Sequence, residues 1–291
     1  MGRGKIAGVG GRMDLKDIVI HVDGSEATKA RVEFAVALAK AHGAHLIGIA
    51  FAPTVLLSLY GGPDVGFAAM GEVLASVKAQ GEAALAAFTA RAEAEGVSVE
   101  GRLLQGVSDE FPRDFAACAR HVDLAVLGQP RDGDPLIGQY ALVERCLFAS
   151  GRPVIIVPAV PGKTEFAGTI VAAWDGSAEA ARAFNDALIF LKAAQRVVLL
   201  VVAASEPGEE GEVATTDMVA HLKRHAVSAE IMLVTARDGD IGRLLLSTAK
   251  ELRADMIVMG AFHHSRWREF ILGGVTLTML EQATLPLFLA H

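Results

Sequence analysis

The chain is poor in cysteine and in targeting signals. Only two cysteines, Cys118 and Cys146, occur among 291 residues, and they do not form a CxxC pair. Such sparse usage favours a reducing compartment, and we therefore expect a cytoplasmic protein. The first twelve residues are glycine-rich and basic but lack the apolar core of a secretory signal. We expect residues 1–12 to be a leader or a disordered segment.

Long apolar runs and basic clusters are also missing. Apolar residues make up 52% of the chain, yet the longest strongly apolar runs, such as 197–204, span about eight residues. A bilayer crossing needs roughly 20, so these runs are assigned to buried parallel strands covered on both faces. The net charge is −7 and no run of basic residues occurs, which argues against binding to a phosphate backbone. Neither a membrane nor a nucleic acid is expected as a partner.

The chain does contain an internal repeat. Three landmarks occur twice in the same order: an apolar run ending in Asp-Gly-Ser (17–25 and 169–177), an Asp-x-x-Val-x-Gly motif (123–128 and 255–260), and a proline-led apolar run (153–157 and 286–289). The offset is 152 residues from Asp23 to Asp175 but 132 from Asp123 to Asp255, so the first half carries an insertion. A repeat of this size indicates a duplicated domain. We predict an N-terminal domain at 13–160 and a C-terminal domain at 161–291.

In each half, short apolar runs alternate with amphipathic stretches of helical length. Strands are predicted near 18–22, 44–50, 99–104, 124–127 and 154–157, and again near 169–174, 196–203, 229–234, 256–259 and 285–289. Helices of the second half are predicted at 178–192, 216–225, 240–252 and 267–281. This alternation predicts an α/β fold of two tandem Rossmann-like domains, each a five-stranded parallel sheet flanked by helices. Because each closing strand is a sheet edge that needs cover, the halves should pair through these strands around a pseudo-two-fold axis.

The insertion is predicted as a Gly/Pro loop between Ala52 and Met70. It carries five large apolar or aromatic side chains: Leu56, Leu57, Leu59, Tyr60 and Phe67. They would cover a ligand cleft of the first half, mediate association with another molecule, or pack onto their own domain. The sequence leaves these three alternatives open.

With these landmarks, the chain resembles the universal stress protein family in its tandem two-domain form, over 13–291. The resemblance implies an adenine-nucleotide-binding α/β fold whose motif is Gly-x-x-Gly, nine residues, then Gly-Ser or Gly-Thr. The second half keeps this spacing from Gly260 to Gly274, but His263 stands at the second glycine and Gly274 at the Ser or Thr. A β-carbon at 263 can obstruct the approach of phosphate, and the missing hydroxyl removes a donor worth about 1 kcal/mol.

The resemblance implies a nucleotide site in the second half. Its predicted residues are Ala173, Asp175, Val202, Gly260, His263, His264, Ser265, Arg266, Gly273, Gly274 and Val275. Backbone N–H groups at 273–275 and the charge of Arg266 would hold phosphate, and Asp175 would bond adenine or ribose. The alternatives are that Asp-Gly-Ser serves only as a turn and helix cap, and that 263–266 is a polar loop with Ser265 as N-cap.

The first half departs further from the family motif. After Gly128 no such motif can be aligned, and the acidic Asp132 and Asp134 lie where a triphosphate would be. We predict that this half has lost ATP binding, although Asp23 could still contact an adenine-like or other small ligand.

Other candidate sites are weaker. Ser25 and Ser177 follow aspartate in turns and lack a Gly-x-Ser-x-Gly elbow, so nucleophilic catalysis has little support. His221 and His225 have a spacing that can chelate a metal, but no third ligand is evident and the pattern fits a solvated helix face. No metal site is predicted.

Together these features predict a cytoplasmic stress-response or regulatory protein that binds ATP, or alternatively ADP or AMP, in its C-terminal half. It is expected to act as a binding protein rather than an enzyme, with homodimer formation as a further expectation. Two alternatives stay open. One is an interaction or scaffold protein that uses no nucleotide, and the other is a weak ATPase, for which no general base with suitable spacing is found.

Overall fold

The computed structural model describes residues 15–55, 67–130, 138–159, 168–203, 209–236, 240–261 and 274–291. The first half contains β1 (Asp17–His21), α1 (Glu26–His42), β2 (His45–Val55), α2 (Phe67–Ala94), β3 (Val99–Val107), α3 (Phe111–Ala119), β4 (Leu124–Gly128), α4 (Gln139–Ser150) and β5 (Val154–Val157). The second half contains β6 (Thr169–Ala173), α5 (Ala178–Asp186), α6 (Leu188–Ala193), β7 (Arg196–Ala203), α7 (Glu209–Arg224), β8 (Ala229–Thr235), α8 (Ile241–Glu251), β9 (Met256–Gly260), α9 (Gly274–Gln282) and β10 (Leu287–Ala290).

The strands form a single ten-stranded sheet in the order β3-β2-β1-β4-β5-β10-β9-β6-β7-β8. Within each half all neighbouring strands are parallel. The halves meet where β5 and β10 pair antiparallel, with Val154 opposite Leu289 and Ile156 opposite Leu287. The predicted fold class is confirmed, and so is the predicted pairing of the two halves through their closing strands.

The core lies on both faces of this sheet. Central strands such as β1 and β6 are apolar on successive residues because helices cover both of their faces. One layer of buried side chains packs under α1, α2 and α5 to α7, including Ile18, Phe88 and Phe184. The other packs under α3, α4, α8 and α9, including Phe115 and Met279. Both layers run across the junction, so the two halves share a core layer on each face of the sheet.

The insertion in the first half is not only a loop. Strand β2 continues to Val55, and α2 begins at Phe67 and extends for 28 residues, against 16 for α7. The prediction of a loop over all of 52–70 is therefore wrong at both ends, because the alanine-rich sequence after Phe67 is a strong helix former. Residues 56–66, with four of the five side chains named for this loop, lie outside the described residues.

Two helices of the second half also differ from prediction. The helix predicted at 178–192 is divided at Ala187 into α5 and α6, and α7 begins at Glu209 rather than at 216. The last helix is described from Gly274 onward, and the predicted part before it lies outside the described residues. Within the described part of the chain, no helix combines the length and the hydropathy that a bilayer crossing requires.

Candidate functional site

The candidate sites lie at the carboxyl edge of the sheet. In each half the strand order reverses between the first and fourth strands, β1 and β4 or β6 and β9. Open α/β sheets bind ligands at such reversals, outside the carboxyl ends of the strands. Both Asp-Gly-Ser turns follow directly on β1 and β6, and Gly128 and Gly260 end β4 and β9. Each predicted pair of landmarks is thereby brought to one edge.

In the second half, the Asp-Gly-Ser turn forms the predicted helix cap. Ser177 Oγ accepts a hydrogen bond from the Ala180 N–H at 3.0 Å, and the Ser177 N–H donates to Asp175 Oδ1 at 2.9 Å. Gly176 has φ of +78°, a left-handed conformation that favours glycine. Asp175 is exposed, and its Oδ2 has no hydrogen-bond partner among the described residues. The turn and cap therefore use one carboxylate oxygen, and the other has no partner among the described residues.

Gly260 allows helix α5 to approach the end of β9. A methyl group at Gly260 would lie 2.5 Å from the Ala180 nitrogen and 2.6 Å from the Glu179 carbonyl carbon. Backbone cannot yield as a flexible side chain can, so only glycine fits here. The glycine thus has a packing role besides the phosphate-binding role that the resemblance implies.

The remaining predicted residues of this site divide into two groups. Ala173 and Val202 are half-buried at the ends of β6 and β7, while Gly274 is exposed and Val275 half-buried at the start of α9. Strand register places Ala173 beside Leu200 and the preceding Ala172 beside Val258, so the ends of β6, β7 and β9 are adjacent. The other predicted residues, His263, His264, Ser265, Arg266 and Gly273, lie outside the described residues.

In the first half, Asp23 is bonded on both oxygens. Oδ1 accepts from the Ser25 N–H at 2.7 Å and from the Thr28 hydroxyl at 2.6 Å. Oδ2 accepts from Arg31 Nη2 at 2.8 Å, and the same nitrogen donates to Thr28 Oγ1 at 2.9 Å. The Arg31 side chain is only 4% exposed, and that of Asp23 22%. A ligand contact by Asp23 stays a prediction, but its carboxylate is already engaged by the protein.

The charge state of this cluster follows from its burial. Burial opposes ionisation of Asp23, but the Arg31 guanidinium, with bonds from Ser25 and Thr28, outweighs it and holds the pKa of that carboxyl well below its usual range. Burial, together with repulsion from Arg31, lowers the pKa of His21 to about 3. At neutral pH, Asp23 and Arg31 therefore form an ion pair beside a neutral imidazole.

Aromatic side chains fill the space around His21. The imidazole lies 4.8 Å from the ring of Phe51, which stacks on Phe111 at 4.6 Å, and Phe115 meets His21 edge-on at 6.4 Å. The positions that correspond to these four in the second half, counted along the matching strands and helices, are Ala173, Val202, Ile241 and Leu245. The first half therefore places four rings where the second places smaller aliphatic residues.

Arg31 and Gly128 are close neighbours. A methyl group at Gly128 would overlap Arg31 Nη1, so the glycine that ends β4 leaves room for a guanidinium. The position in α5 that corresponds to Arg31 is Ala183, which is fully buried. Sequence analysis missed both Arg31 and His21. The available signal was that the second half has alanine at both corresponding positions.

An open groove of about 500 Å³ also borders the first-half turn. It runs between α1 and α2 over small apolar side chains such as Val32, Ala84 and Ala87. In the second half Phe184 corresponds to Val32 and packs on Trp174 at 5.4 Å. Helix side chains form most of its walls, and Asp23, Gly24 and Ser25 line the end that meets the Asp-Gly-Ser turn.

His221 in α7 and His225 just after it do not assemble a metal site in the described part of the chain. Their rings are 4.7 Å apart, and His221 Nε2 lies 3.3 Å from Asn185 Oδ1. Among the residues described, no group of three or more His, Cys, Asp or Glu side chains could hold a metal ion. Burial raises the pKa of the Cys146 thiol to about 12, which makes this thiol an unreactive part of the core.

Comparison with known proteins identifies a family match in both halves of the chain. The model of the universal stress protein family matches residues 15–150 and 167–291. A universal stress protein from Archaeoglobus fulgidus DSM 4304 matches 94% of this chain and 97% of its own, at 17% identity and a TM-score of 0.70. A candidate universal stress protein from Pseudomonas aeruginosa UCBPP-PA14 matches 95% of this chain and 93% of its own, at 15% identity and a TM-score of 0.59. These structures share the fold of the chain.

Two further comparisons add less. A universal stress protein solved in complex with cAMP matches 50% of this chain and 99% of its own, at 21% identity and a TM-score of 0.34, too low a likeness to transfer its ligand. A search of curated proteins found no match.

Proposed function

This chain belongs to the universal stress protein family, and on that basis we propose that its second half binds an adenine nucleotide while its first half does not. The observation that carries the proposal is the contrast between two equivalent aspartates. Asp175 is exposed and has a carboxylate oxygen without a partner among the described residues, whereas both oxygens of Asp23 are bonded within the protein.

The described residues of the second half suit a nucleoside. Asp175 Oδ2 would accept a hydrogen bond from an adenine N–H or a ribose hydroxyl. Ala173 and Val202, small and half-buried at the neighbouring strand ends, would contact the apolar faces of the base. A site with a few polar groups set among apolar side chains is typical of small-ligand clefts.

The phosphate end of the site depends on the segment between β9 and α9. Gly274 and Val275 begin α9, and the N–H groups of a helix start attract anions. His263, His264, Arg266 and Gly273 are proposed to complete this end from sequence. The proposed ligand is ATP, with ADP and AMP as alternatives.

The proposed role is that of a regulatory binding protein in a stress response, and neither catalysis nor a metal is part of it. Cytoplasmic location and homodimer formation remain proposals from sequence. The alternative of a weak ATPase is separated from binding by measuring release of ADP, which we expect to stay at the level of a blank reaction.

The proposal is tested by the affinity of the full chain for ATP and adenosine, measured by calorimetry. Asp175→Asn should weaken both ligands by about tenfold or more, since a hydrogen bond to a charged group contributes roughly 1.5–3 kcal/mol. The matched control is Asp217→Asn, which removes one exposed carboxylate from α7 and should leave both affinities unchanged. If the unaltered chain binds neither ATP, ADP, AMP nor adenosine, the alternative of a nucleotide-independent interaction protein is favoured instead.

A further inference from the structure

In the first half, the Arg31 side chain occupies the position at the carboxyl edge of the sheet where a ligand would bind. It extends from α1 to the carboxyl ends of β1 and β4, with Nη2 bonded to Asp23 and Nη1 against Gly128. Strands β1 and β4 are the two neighbours between which the strand order reverses, and α/β sheets bind small molecules at such a reversal. We infer that Arg31 is an internal occupant of the first-half cleft, which satisfies Asp23 and keeps external ligands away from it.

The Arg31 guanidinium makes the hydrogen bonds that a guanidinium ligand bound in this cleft would make. Nη2 donates to Asp23 Oδ2 at 2.8 Å and to Thr28 Oγ1 at 2.9 Å, and the Thr28 hydroxyl donates in turn to Asp23 Oδ1 at 2.6 Å. The aspartate is thereby enclosed by donors on both oxygens. A planar cation with N–H donors is the chemistry that this carboxylate selects.

The glycine at the end of β4 supports the same inference. Gly128 and Gly260 occupy the same place in the repeat, but their close neighbours differ. Gly260 faces the backbone of α5, and Gly128 faces the tip of a side chain. The first half therefore keeps its landmark glycine to accommodate a guanidinium, independently of any phosphate.

The cluster also retains polar atoms that its own packing does not satisfy. Among the described residues, His21 Nε2 and Arg31 Nε are buried without a hydrogen-bond partner. Each of these side chains is only about 4% exposed. Buried polar atoms without a hydrogen-bond partner are rare in folded proteins, and each one calls for an explanation. Their presence fits a ligand cleft that a side chain has entered.

The test is to remove Arg31 and offer its head group from solution. Arg31→Ala should lower the melting temperature of the full chain and expose a pocket lined by Asp23 and Gly128. Ethylguanidinium chloride at low millimolar concentration should then raise that melting temperature by several degrees, in a saturable manner, because a ligand that binds only the folded state stabilises it. Sodium chloride at the same ionic strength should give no such rise.

Two controls make the result specific. Arg91 on α2 also forms a two-point ion pair, with Glu33 at 2.6 and 2.7 Å, but its carboxylate partners are Glu33 and Glu95 rather than Asp23, so Arg91→Ala should show no rescue. Adding Asp23→Asn to Arg31→Ala should abolish the rescue by removing the carboxylate. Should Arg31→Ala not fold alone, the yield of refolded protein with and without ethylguanidinium becomes the readout.

Rescue that is confined to Arg31→Ala and depends on Asp23 supports the inference. Absence of rescue, or equal rescue in Arg91→Ala, overturns it. No nucleotide enters this experiment, so its failure leaves nucleotide binding by the second half untouched, and failure of the second half to bind nucleotide leaves this test intact.

Discussion

The same three residues, Asp-Gly-Ser, follow the first strand of each half, yet the two aspartates have opposite surroundings. Asp175 is exposed beside small aliphatic residues, whereas Asp23 is held by Arg31 beside a buried imidazole and three phenylalanines. The positions that correspond to His21 and Arg31 in the second half are both alanine. The repeated Asp-Gly-Ser motif therefore identifies where a site lies in each half. The residues that differ between the halves determine whether its aspartate is exposed or held by the protein.

The largest effect is expected from Arg31→Ala, measured as the free energy of unfolding in urea. Removing one partner of a buried ion pair leaves the other charge uncompensated, which costs about 3 kcal/mol or more. Arg91→Ala, whose ion pairs are exposed, should cost much less. Similar losses for the two variants would mean that the Asp23 cluster contributes no more than a surface ion pair.

A second difference should appear in the pH dependence of stability. An unfolded histidine takes up a proton near pH 6.5, whereas the pKa of His21 in the folded protein is lowered to about 3. Between these values the unfolded state binds more protons, so the free energy of unfolding falls as the pH falls. This stabilising contribution is fully present above pH 6.5. The low pKa of Asp23 also decreases the free energy of unfolding as the pH falls, but only below about pH 4.

This dependence is isolated by His21→Leu, which has no titrating group at that position. Between pH 6.5 and pH 5 the unaltered chain should lose about 2 kcal/mol more than the variant, since a shift of one pKa unit corresponds to about 1.4 kcal/mol. Urea unfolding at both pH values measures the difference. Parallel losses in the two proteins would show that His21 is not buried in its neutral form.

A smaller contrast is expected at the two landmark glycines. Gly260→Ala forces a methyl group into the backbone of α5 and should destabilise the chain by about 2 kcal/mol. Gly128→Ala meets only the tip of Arg31 and should cost about 1 kcal/mol. In the Arg31→Ala background the cost of Gly128→Ala should vanish, while that of Gly260→Ala should persist. Denaturant unfolding of the single and double variants tests this, and an unchanged Gly128 cost would contradict the proposed contact.

The sequence was sufficient for the fold because its signals are local and repeated. Alternating apolar runs predicted every strand, with β7 matching residue for residue, and the proline-led closing runs predicted the junction between halves. The insertion was only partly predicted. The glycine and proline residues around 61–63 indicated a loop as far as Met70, whereas α2 begins at Phe67. Helix propensity spread over many alanines prevailed there.

The site was less predictable than the fold. Asp175 and the glycines belong to motifs and could be named from their spacing. Arg31 belongs to no motif, and its effect depends on a long side chain reaching from α1 across to Asp23 and Gly128. Such contacts depend on tertiary structure, so they cannot be predicted from motifs that recur in the two halves. Comparing the halves position by position, with Arg31 against Ala183, would have indicated the difference.

The number of ATP molecules bound per chain tests the central claim most directly. Titration calorimetry on the full chain should give a stoichiometry near one, with the affinity of that site about tenfold or more weaker in Asp175→Asn. The reason is that Asp175 has a carboxylate oxygen without a partner among the described residues, whereas Asp23 is held by Arg31. A stoichiometry near two, or one site whose affinity is unchanged in Asp175→Asn and reduced in Asp23→Asn, would contradict the account.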